Sequence, residues 1–344
     1  MRTKAKKRAK RYTIAILYHL LTKADQKTYP DVEHVLVDED TGSTVQFIQK
    51  LLTKHKFKVQ VLPLSINALD NLKKIKADYI FNLVDSRALE VRIAKILDRL
   101  SIPHSGPPVW SILASNNKLH TKKLLQKSFL PIPKFTVIHR SDRLRKSLLP
   151  SKYPVIVKPA YEHCSIGITS ASVAQRYEQF KRIVTNLRKK YHQTLIVEEF
   201  IPGEELQVTV YENGGKTVAL PPAQITWKGD ERNKWNIYGF DEKWDKTSLL
   251  WKNSQFIAPP KRIPADDLVE MKKQSIRAFY AMQFRDYARF DLRYNTKERR
   301  WYFLEGNANA GISPGAGDAM TASVRAAGMT LDDFVLQIVK NSLH

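Results

Sequence analysis

The sequence predicts an α/β fold whose first third is built on a parallel sheet. Short apolar strands alternate there with amphipathic helices, and this order packs helices against the faces of a parallel sheet. Near the C-terminus a polar turn, Asn295–Arg300, separates two stretches of alternating character, which predicts an antiparallel hairpin. At 344 residues the chain is long enough for two or three packed domains.

Composition narrows the class of partner and the redox setting. The 57 Lys and Arg exceed the 34 Asp and Glu, which gives a net charge of +23. This charge favours an anionic partner, whether nucleotide, nucleic acid, acidic polymer or membrane surface. Met1–Arg11 carries seven of the basic residues and no acid, so we expect a disordered basic arm there. The single cysteine, Cys164, excludes an intramolecular disulfide and favours a reducing cytoplasm.

No apolar run reaches the length of a membrane span. Tyr12–Leu21 follows basic residues as the core of a signal peptide would, but no small-residue cleavage site follows it, so we expect a core strand instead.

The first hundred residues show the strand and helix alternation most clearly. The predicted strands are Tyr12–Tyr18, Lys58–Leu62 and Asp78–Val84, and the predicted helices are Ser43–His55 and Ala88–Leu100. Ligands of such sheets gather at the carboxyl ends of the strands. A dinucleotide site is not expected, since no G-x-G-x-x-G pattern is present.

The middle of the chain brings basic residues to a predicted strand end and loop. Further helices are predicted at Ser111–Ser128, in part of Arg140–Lys152 and at Val173–Tyr191, with strands at Phe135–Ile138 and Val155–Val157. Lys158 ends a buried strand, where a lysine is costly unless it is paired. The loop Ala160–Ile168 contains Cys164, Ser165 and Gly167, whose small side chains would let backbone N–H groups approach phosphates; a plain loop is the alternative.

Acids follow at the next strand ends. An apolar strand, Leu195–Glu199, is followed by the turn Pro202–Gly203, and Glu205 begins another strand. These carboxylates can accept hydrogen bonds from an exocyclic amine or from ribose hydroxyls. The alternative is that they are charged residues on the protein surface. The polar segment Trp227–Trp251 contains four tryptophans and Lys243, which is typical of a functional or mobile segment. Helices are predicted at Asp266–Met282 and Thr330–Leu343.

The hairpin near the C-terminus holds the sharpest pattern. Every second side chain of a strand shares a face, and counting back from the turn places Asp291 on the first strand roughly opposite Glu305 on the second. Opposed carboxylates repel unless a cation lies between them. With the amide oxygen of Asn307 they form a hard oxygen site suited to magnesium, and Arg289 and Arg293 would suit an anionic substrate. The alternative is a surface hairpin whose carboxylates pair with those arginines.

Seven motifs stand in a familiar order. They are NKLHTKKLL, YPVIVKPAYEHCSIGI, LIVEEFIPGEEL, DEKWD, DYARFDLRY, WYFLEGNAN and RAAGMTLDDFVLQIV. This series resembles the ATP-grasp ligases, and within them the D-alanine–D-alanine ligase family and its relatives. The resemblance is close from Ile102 to the C-terminus and holds in outline before it. It implies a Rossmann-like N-terminal domain (12–102, after the arm 1–11) and two α+β subdomains (103–193 and 194–344) that sandwich ATP.

The resemblance also implies roles for particular residues. Lys118 and Lys158 match the lysines that hold ATP phosphates, and Cys164, Ser165 and Gly167 match the loop that closes over them. Glu198 matches the acid on adenine, Glu199, Phe200 and Ile201 the hinge backbone, and Glu205 the acid on ribose. Lys243 resembles the mobile-loop lysine, Arg289 the arginine beside the reacting carboxylate, and Asp291, Glu305 and Asn307 the magnesium ligands. Arg289, Lys243 and Ser165 are the implied catalytic residues.

The implied function is an ATP- and Mg²⁺-dependent ligation of a carboxylate to an amine through an acyl phosphate. Two Mg²⁺ ions are expected, with Mn²⁺ as a possible substitute. No protein nucleophile is needed, so we expect Cys164 to be a packing or loop residue. Amino acids or short peptides are the expected substrates, and the family implies a cytoplasmic homodimer that makes a cell-wall precursor.

The substrate half departs from the family pattern. The loop His19–Asp40 lacks the expected Gly-rich, Ser-Glu element, and Asp31, Glu33 and Asp38 are the candidate acids there. The His-Gly element after the third strand is replaced by Val84-Asp-Ser-Arg, and Asn307–Gly311 differs from Asn-Thr-Ser-Pro-Gly. D-Alanine therefore competes with another amino acid or small peptide as substrate.

Two other function classes stay open at this stage. A nucleic-acid-associated ATP-binding protein is suggested by the charge, although no recognised nucleic-acid module is present. A nucleotide-binding protein without catalysis is opposed by the matched lysines and metal ligands.

Overall fold

The computed structural model describes residues 11–27, 33, 35, 42–67, 69–86, 88–144, 148, 150–229, 233–315 and 317–343. Their strands form three sheets. The first ten residues of the predicted basic arm lie outside the described residues, as do Asp31 and Asp38. No helix in the described ranges is long and apolar enough to cross a membrane.

The first sheet is parallel, as predicted, with the order β2-β1-β3. Its elements are β1 (Thr13–His19), α1 (Lys23–Gln26), α2 (Gly42–Lys54), β2 (Lys58–Leu64), β3 (Tyr79–Asn82) and α3 (Glu90–Leu97). The central strand β1 is buried on both faces at Ile14–Leu17, which explains its unbroken apolar run. The edge strand β2 alternates between exposed and half-buried residues instead.

The second sheet has the order β4-β7-β5-β6. Its region contains α4 (Val109–Ser115), α5 (Lys118–Lys127), β4 (Phe135–Ile138), β5 (Val155–Pro159), β6 (Val173–Ala174), α6 (Tyr177–Tyr191) and β7 (Leu195–Glu199).

Two predictions in this region need correction. The helix predicted at Ser111–Ser128 is two helices, because the side chain of Asn117 caps α5 by accepting hydrogen bonds from Leu119 N and His120 N. The helix predicted from Val173 begins at Tyr177, since Val173–Ala174 pairs with β5. The strand β7, which follows the predicted boundary at 193, pairs with β4 and β5. The helix predicted within Arg140–Lys152 falls partly on residues outside the described ranges.

The third sheet has six strands, with β9 on β8 beside the path β11-β10-β8-β12-β13. Its region contains β8 (Glu204–Asn213), β9 (Lys216–Ala219), β10 (Ala223–Trp227), α7 (Phe240–Trp244), α8 (Leu249–Asn253), β11 (Ser254–Ile257), α9 (Ala265–Ala281), β12 (Tyr287–Asn295), β13 (Arg300–Asn307), α10 (Ala319–Ala326) and α11 (Leu331–Ser342). The predicted hairpin is β12 and β13, and β12 is buried because it lies between β13 and β8.

Contacts from two directions hold the end of the hairpin in place. Ser115 at the end of α4 donates its hydroxyl to Gly306 O at 2.7 Å and accepts a hydrogen bond from Ala308 N. From the first sheet, Val84 O accepts a hydrogen bond from Asn309 Nδ2 at 3.0 Å. All three regions therefore meet where β13 ends.

Candidate active site

Asp291 and Glu305 are direct partners in the register of β12 and β13, which confirms the predicted opposition. Arg289 and Asn307 are the next pair of partners on the same face, two residues farther from the turn. The register shifts between Asp291 and Leu292, immediately beyond the carboxylate pair. Two acids, an arginine and an amide are thus presented together at one end of the hairpin.

Each carboxylate of this pair has a cationic partner. Lys118 Nζ lies 2.9 Å from Glu305 Oε2, and Arg289 Nε donates to Asp291 Oδ1 at 2.8 Å. Burial raises the pKa of Glu305, but attraction to Lys118 and more distant lysines outweighs it and holds that pKa well below its ordinary value. Glu305 is therefore ionised at neutral pH.

The donor set fits the predicted magnesium. Asn307 Nδ2 is buried and has no hydrogen-bond partner among the described residues, so this N–H group suits an acceptor such as a phosphate oxygen, and the amide oxygen is the atom that would bind a metal. Within the described ranges no three His, Cys, Asp or Glu side chains form a metal cluster. Two carboxylates and one amide instead match an ion that completes its shell with phosphate oxygens and water, as Mg²⁺ does.

Glu198 and two lysines form a buried ion triad. Glu198 is 1% exposed, with Lys122 Nζ 2.7 Å from its Oε1 and Lys158 Nζ 2.9 Å from its Oε2. Burial raises the pKa of Glu198, but attraction to the two lysines outweighs this effect and lowers the pKa to about 2. Lys158 is therefore paired, as predicted for a lysine on a buried strand. The sequence reasoning missed Lys122 as a site residue, although it lies one helical turn after Lys118 on the same face.

The loop after β5 brings backbone toward the same place. Cys164 and Ser165 have left-handed φ values of 54° and 62°, and Gly167 has a φ of 73°. Left-handed residues that alternate with right-handed ones, or that lie in turns, form concave arrays of N–H groups that bind anions. Ser165 Oγ donates to Tyr238 O at 3.1 Å, which ties the loop to the segment before α7. Burial raises the pKa of the Cys164 thiol far above its ordinary range, so this cysteine is not an activated nucleophile.

The hinge between β7 and β8 is held by Arg293. This side chain is 4% exposed and donates to Ile201 O at 2.6 Å and to Gly203 O at 3.0 Å, while Nη1 lies 3.3 Å from Glu205 Oε2. The expectation that Arg293 suits an anionic substrate is therefore wrong, because its donors are committed to the hinge.

Two adjoining hollows receive the predicted residues. The first, called here the cleft, is lined by Ile156, Lys158, Ser165, Ile168, Glu198, Glu199, Phe200, Ile201, Glu205, Ile237, Tyr238, Lys243, Asp291, Arg293, Leu304 and Glu305. The second, called the cavity, has a volume of about 460 Å³, and Lys118, Cys164, Lys243, Arg289, Glu305 and Asn307 are among its lining residues. Lys243, Glu305 and Tyr238 line both. Gly167 is the one predicted site residue that lines neither.

Of the three candidate acids of the first region, Glu33 alone lies among the described residues. Glu33 accepts hydrogen bonds from Lys190 Nζ and Tyr191 OH, both at 2.7 Å, and it does not line the cavity. The acids on the cavity wall in that part of the chain are Asp85 and Glu90, which the sequence reasoning did not select.

Comparison with known proteins decides the family. The family model described as D-ala D-ala ligase C-terminus matches residues 124–340, well over half of the chain. The chain belongs to the D-alanine–D-alanine ligase family. It is 26% identical over 296 residues to the D-alanine–D-alanine ligase of Delftia acidovorans, covering 86% of this chain and 85% of that one. It is 27% identical over 297 residues to that of Thermotoga petrophila, covering 86% and 90%.

Solved structures of similar fold cover almost the whole chain. The D-alanine–D-alanine ligase from Bacillus anthracis matches with a TM-score of 0.72 at 18% identity, over 97% of this chain and 98% of that one. The VanG D-Ala:D-Ser ligase from Enterococcus faecalis matches with a TM-score of 0.71 at 15% identity, over 96% and 99%. This D-alanine–D-alanine ligase family member is therefore an ATP-dependent ligase with the ATP-grasp fold, as the sequence predicted.

Proposed function

We propose that this ligase joins the carboxylate of one amino acid or short peptide to the amine of another, with Mg-ATP bound in the cleft and the substrates in the cavity. The observation that carries the proposal is the opposition of Asp291 and Glu305 where the cleft meets the cavity. When bound, Mg-ATP supplies the phosphoryl group that activates the carboxylate as an acyl phosphate, from which the amine displaces phosphate with loss of a proton.

The residues of the chain suit phosphoryl transfer by position and charge. In this proposal Asp291, Glu305 and Asn307 hold the metal, and Lys118 and Lys158 neutralise the phosphates. Both lysines are already anchored, Lys118 on Glu305 and Lys158 on Glu198. Fixed charges in a buried site stabilise a developing anion without reorganising, which is the main contribution that this chemistry requires.

Nucleotide binding beyond the phosphates is assigned to the rest of the cleft. Glu198 and Glu205 are proposed to face the adenine and ribose, with the hinge Glu199–Ile201 along the base. Glu198 is buried, and burial also raises the pKa of Glu205. The left-handed loop of Cys164, Ser165 and Gly167 supports closure over the phosphates.

Two cations are proposed to act at the reacting atoms. Lys243 on α7 lines both hollows, so it can contact a phosphoryl group on one side and its acceptor on the other. Arg289 lines the cavity beside Asp291 and is proposed to stabilise the oxyanion formed when the amine attacks. Ser165 is proposed to position the loop, since its hydroxyl donates to Tyr238 O.

Domain division, oligomeric state and cellular location are proposed from the family and from the sheets. We propose three units, with the division between the second and third moved from 193 to the hinge after Glu199, and a cytoplasmic homodimer that supplies a cell-wall precursor. Light scattering of the purified chain would test the dimer.

Phosphate release from Mg-ATP, measured over pairs of D- and L-amino acids and short peptides with products identified by mass, tests the function. Release that depends on two substrates, with an amide product, is the expected result. ATP binding without release for every pair would overturn the proposal.

A further inference from the structure

The cavity has one wall that the proposed chemistry does not use. Four aromatic side chains form it, all from the segment between β10 and β11 and from β11 itself: Tyr238, Trp244, Trp251 and Phe256. The charged and amide groups on other parts of the lining include Lys118, Arg289, Asn307 and Asp318. A ligand in this cavity therefore meets both ionic groups and aromatic rings.

The aromatic side chains are held in place by contacts of their own. The rings of Tyr238 and Phe256 meet edge to face, with centroids 5.3 Å apart at 90°. Trp244 Nε1 donates to Cys164 O at 3.0 Å, which fixes the indole against the loop after β5. Lys243 lies over the Tyr238 ring, 5.0 Å from its centroid, so the wall begins beside the cation that is shared with the cleft. Tyr238, Trp244 and Phe256 are therefore each held by contacts within the protein.

Part of this surface faces solvent. Trp251 is 37% exposed, and the neighbouring Leu249 on α8 is 62% exposed. Burial of large apolar side chains is favourable, and contiguous apolar patches that stay exposed commonly mark binding sites. A ligand with a large apolar group would remove this surface from water.

We propose that one of the two substrates carries a large apolar side chain, and that this side chain packs against Tyr238, Trp244, Trp251 and Phe256. The inference rests on the proposed function and names the substrate class of the same site. The charged ends of an amino acid would be held by the ionic groups of the cavity, so only its side chain is left to contact the aromatic wall.

Volume supports the same assignment. At about 460 Å³ the cavity lies within the range of pockets that take drug-sized ligands, roughly 300–1,000 Å³. An alanine methyl group would contact little of the aromatic surface and would leave it hydrated. An aromatic or long branched side chain would fill the space and add edge-to-face contacts between rings.

The test compares substrates and then variants. Full-length protein is assayed for Mg-ATP-dependent phosphate release with alanine, leucine and phenylalanine of both hands, singly and in pairs, and products are identified by mass. We expect kcat/KM for a pair that contains leucine or phenylalanine to exceed that of every alanine-only pair by about tenfold or more. Preference for an alanine-only pair would overturn the inference and leave the proposed function standing. No release with any of these pairs would overturn the inference, whereas the proposed function is overturned by ATP binding without release across the wider panel of amino acids and short peptides.

The variant Trp251→Ala probes the wall without disturbing a buried core residue. It should lower kcat/KM for the preferred large substrate about tenfold while changing that of an alanine-only pair less than about twofold. The matched control is Phe129→Ala, an aromatic residue that is 90% exposed and does not line the cavity. Equal losses for large and small substrates in Trp251→Ala would mean that the tryptophan acts on the fold or on closure, and would contradict the inference.

Discussion

Asp291 and Glu305 face each other across β12 and β13, and each is matched by a cation, Arg289 for the first and Lys118 for the second. This relationship brings opposite charges together where the cleft and the cavity meet. The two ion pairs differ in origin. Lys118 reaches Glu305 from α5, whereas Arg289 lies on the same strand as Asp291.

The first prediction concerns this carboxylate pair. Asp291→Asn and Glu305→Gln should each lower kcat for phosphate release by about 100-fold or more, because a neutral amide holds a divalent cation poorly beside transferring phosphates. Circular dichroism should show both variants folded. Glu298→Gln, in the turn of the same hairpin, is the control and should keep normal turnover. Activity within a few-fold of the parent in either site variant would contradict the metal assignment.

A second prediction follows from the charge count of the buried triad. Glu198→Gln leaves Lys122 and Lys158 without their shared carboxylate and should lower the free energy of unfolding by about 3–5 kcal/mol. Lys122→Met leaves one lysine and one carboxylate in contact, so its loss should be clearly smaller. Urea denaturation of both variants compares them. Equal losses, or a larger loss in Lys122→Met, would show that packing rather than charge balance governs this site.

The third prediction separates chemistry from nucleotide binding. Lys243→Met should lower kcat at least tenfold with little change in the Kd for ATP, because Lys243 lies at the junction of the two hollows. Lys246→Met, three residues later and exposed, should behave as the parent. Single-turnover phosphate release and ATP binding by calorimetry measure the two quantities. A loss confined to ATP affinity would place Lys243 on the nucleotide alone.

The fourth prediction is a pH dependence of stability. Burial raises the pKa of Asp286 to about 7, although Gly106 N donates a hydrogen bond to its carboxylate. Between the ordinary pKa of an aspartate and pH 7 the native state holds a proton that the unfolded chain has released. The contribution of Asp286 to stability is therefore full at low pH and is lost as pH rises to 7, by at most about 1.4 kcal/mol per pH unit.

Asp286→Asn should remove this slope. The difference in unfolding free energy between Asp286→Asn and the parent, measured in urea at pH 5 and pH 8, should shift in favour of the variant as pH rises. Asp70→Asn changes an exposed carboxylate and serves as the control. An unchanged difference at the two pH values would mean that Asp286 titrates alike in both states.

The fifth prediction concerns the hinge glycine. Gly203 has a φ of 127°, and a Cβ there would lie 2.1 Å from Tyr294 O. Gly203→Ala should therefore displace β12 from the hinge and cost more than about 3 kcal/mol of stability. Gly214 also has a positive φ, 56°, but a Cβ there would meet nothing within 4 Å, so Gly214→Ala should cost only about 1–2 kcal/mol. Similar melting temperatures for the two variants would contradict the steric account.

The sequence by itself determined the features that depend on neighbours along the chain. It determined the alternation of the first sheet, the helical faces and the hairpin itself, because each depends on the period of the element or on a short turn. The exact opposition of Asp291 and Glu305 also depends on the register shift after Asp291, since the pairing nearest the turn, continued without that shift, would place Asp291 opposite Leu304. The order of the seven motifs was enough for the fold and the ligase class, as the family match confirms. The break at Asn117 and the short strand β6 were missed, since each depends on a local choice that the periodicity does not reveal.

Only the tertiary structure decided which distant side chains meet. Lys122 on α5 and Glu198 on β7 lie far apart in sequence, and only the packed fold brings their charged atoms within 2.7 Å of each other. The same holds for Glu33, which pairs with α6 rather than with the cavity, and for Arg293, whose burial commits it to the hinge. The aromatic wall also could not be predicted from the sequence. Its four residues show no clear period along the chain, and they line one cavity only in the folded structure. Long-range contacts are set by how the elements pack, and no local pattern encodes that packing.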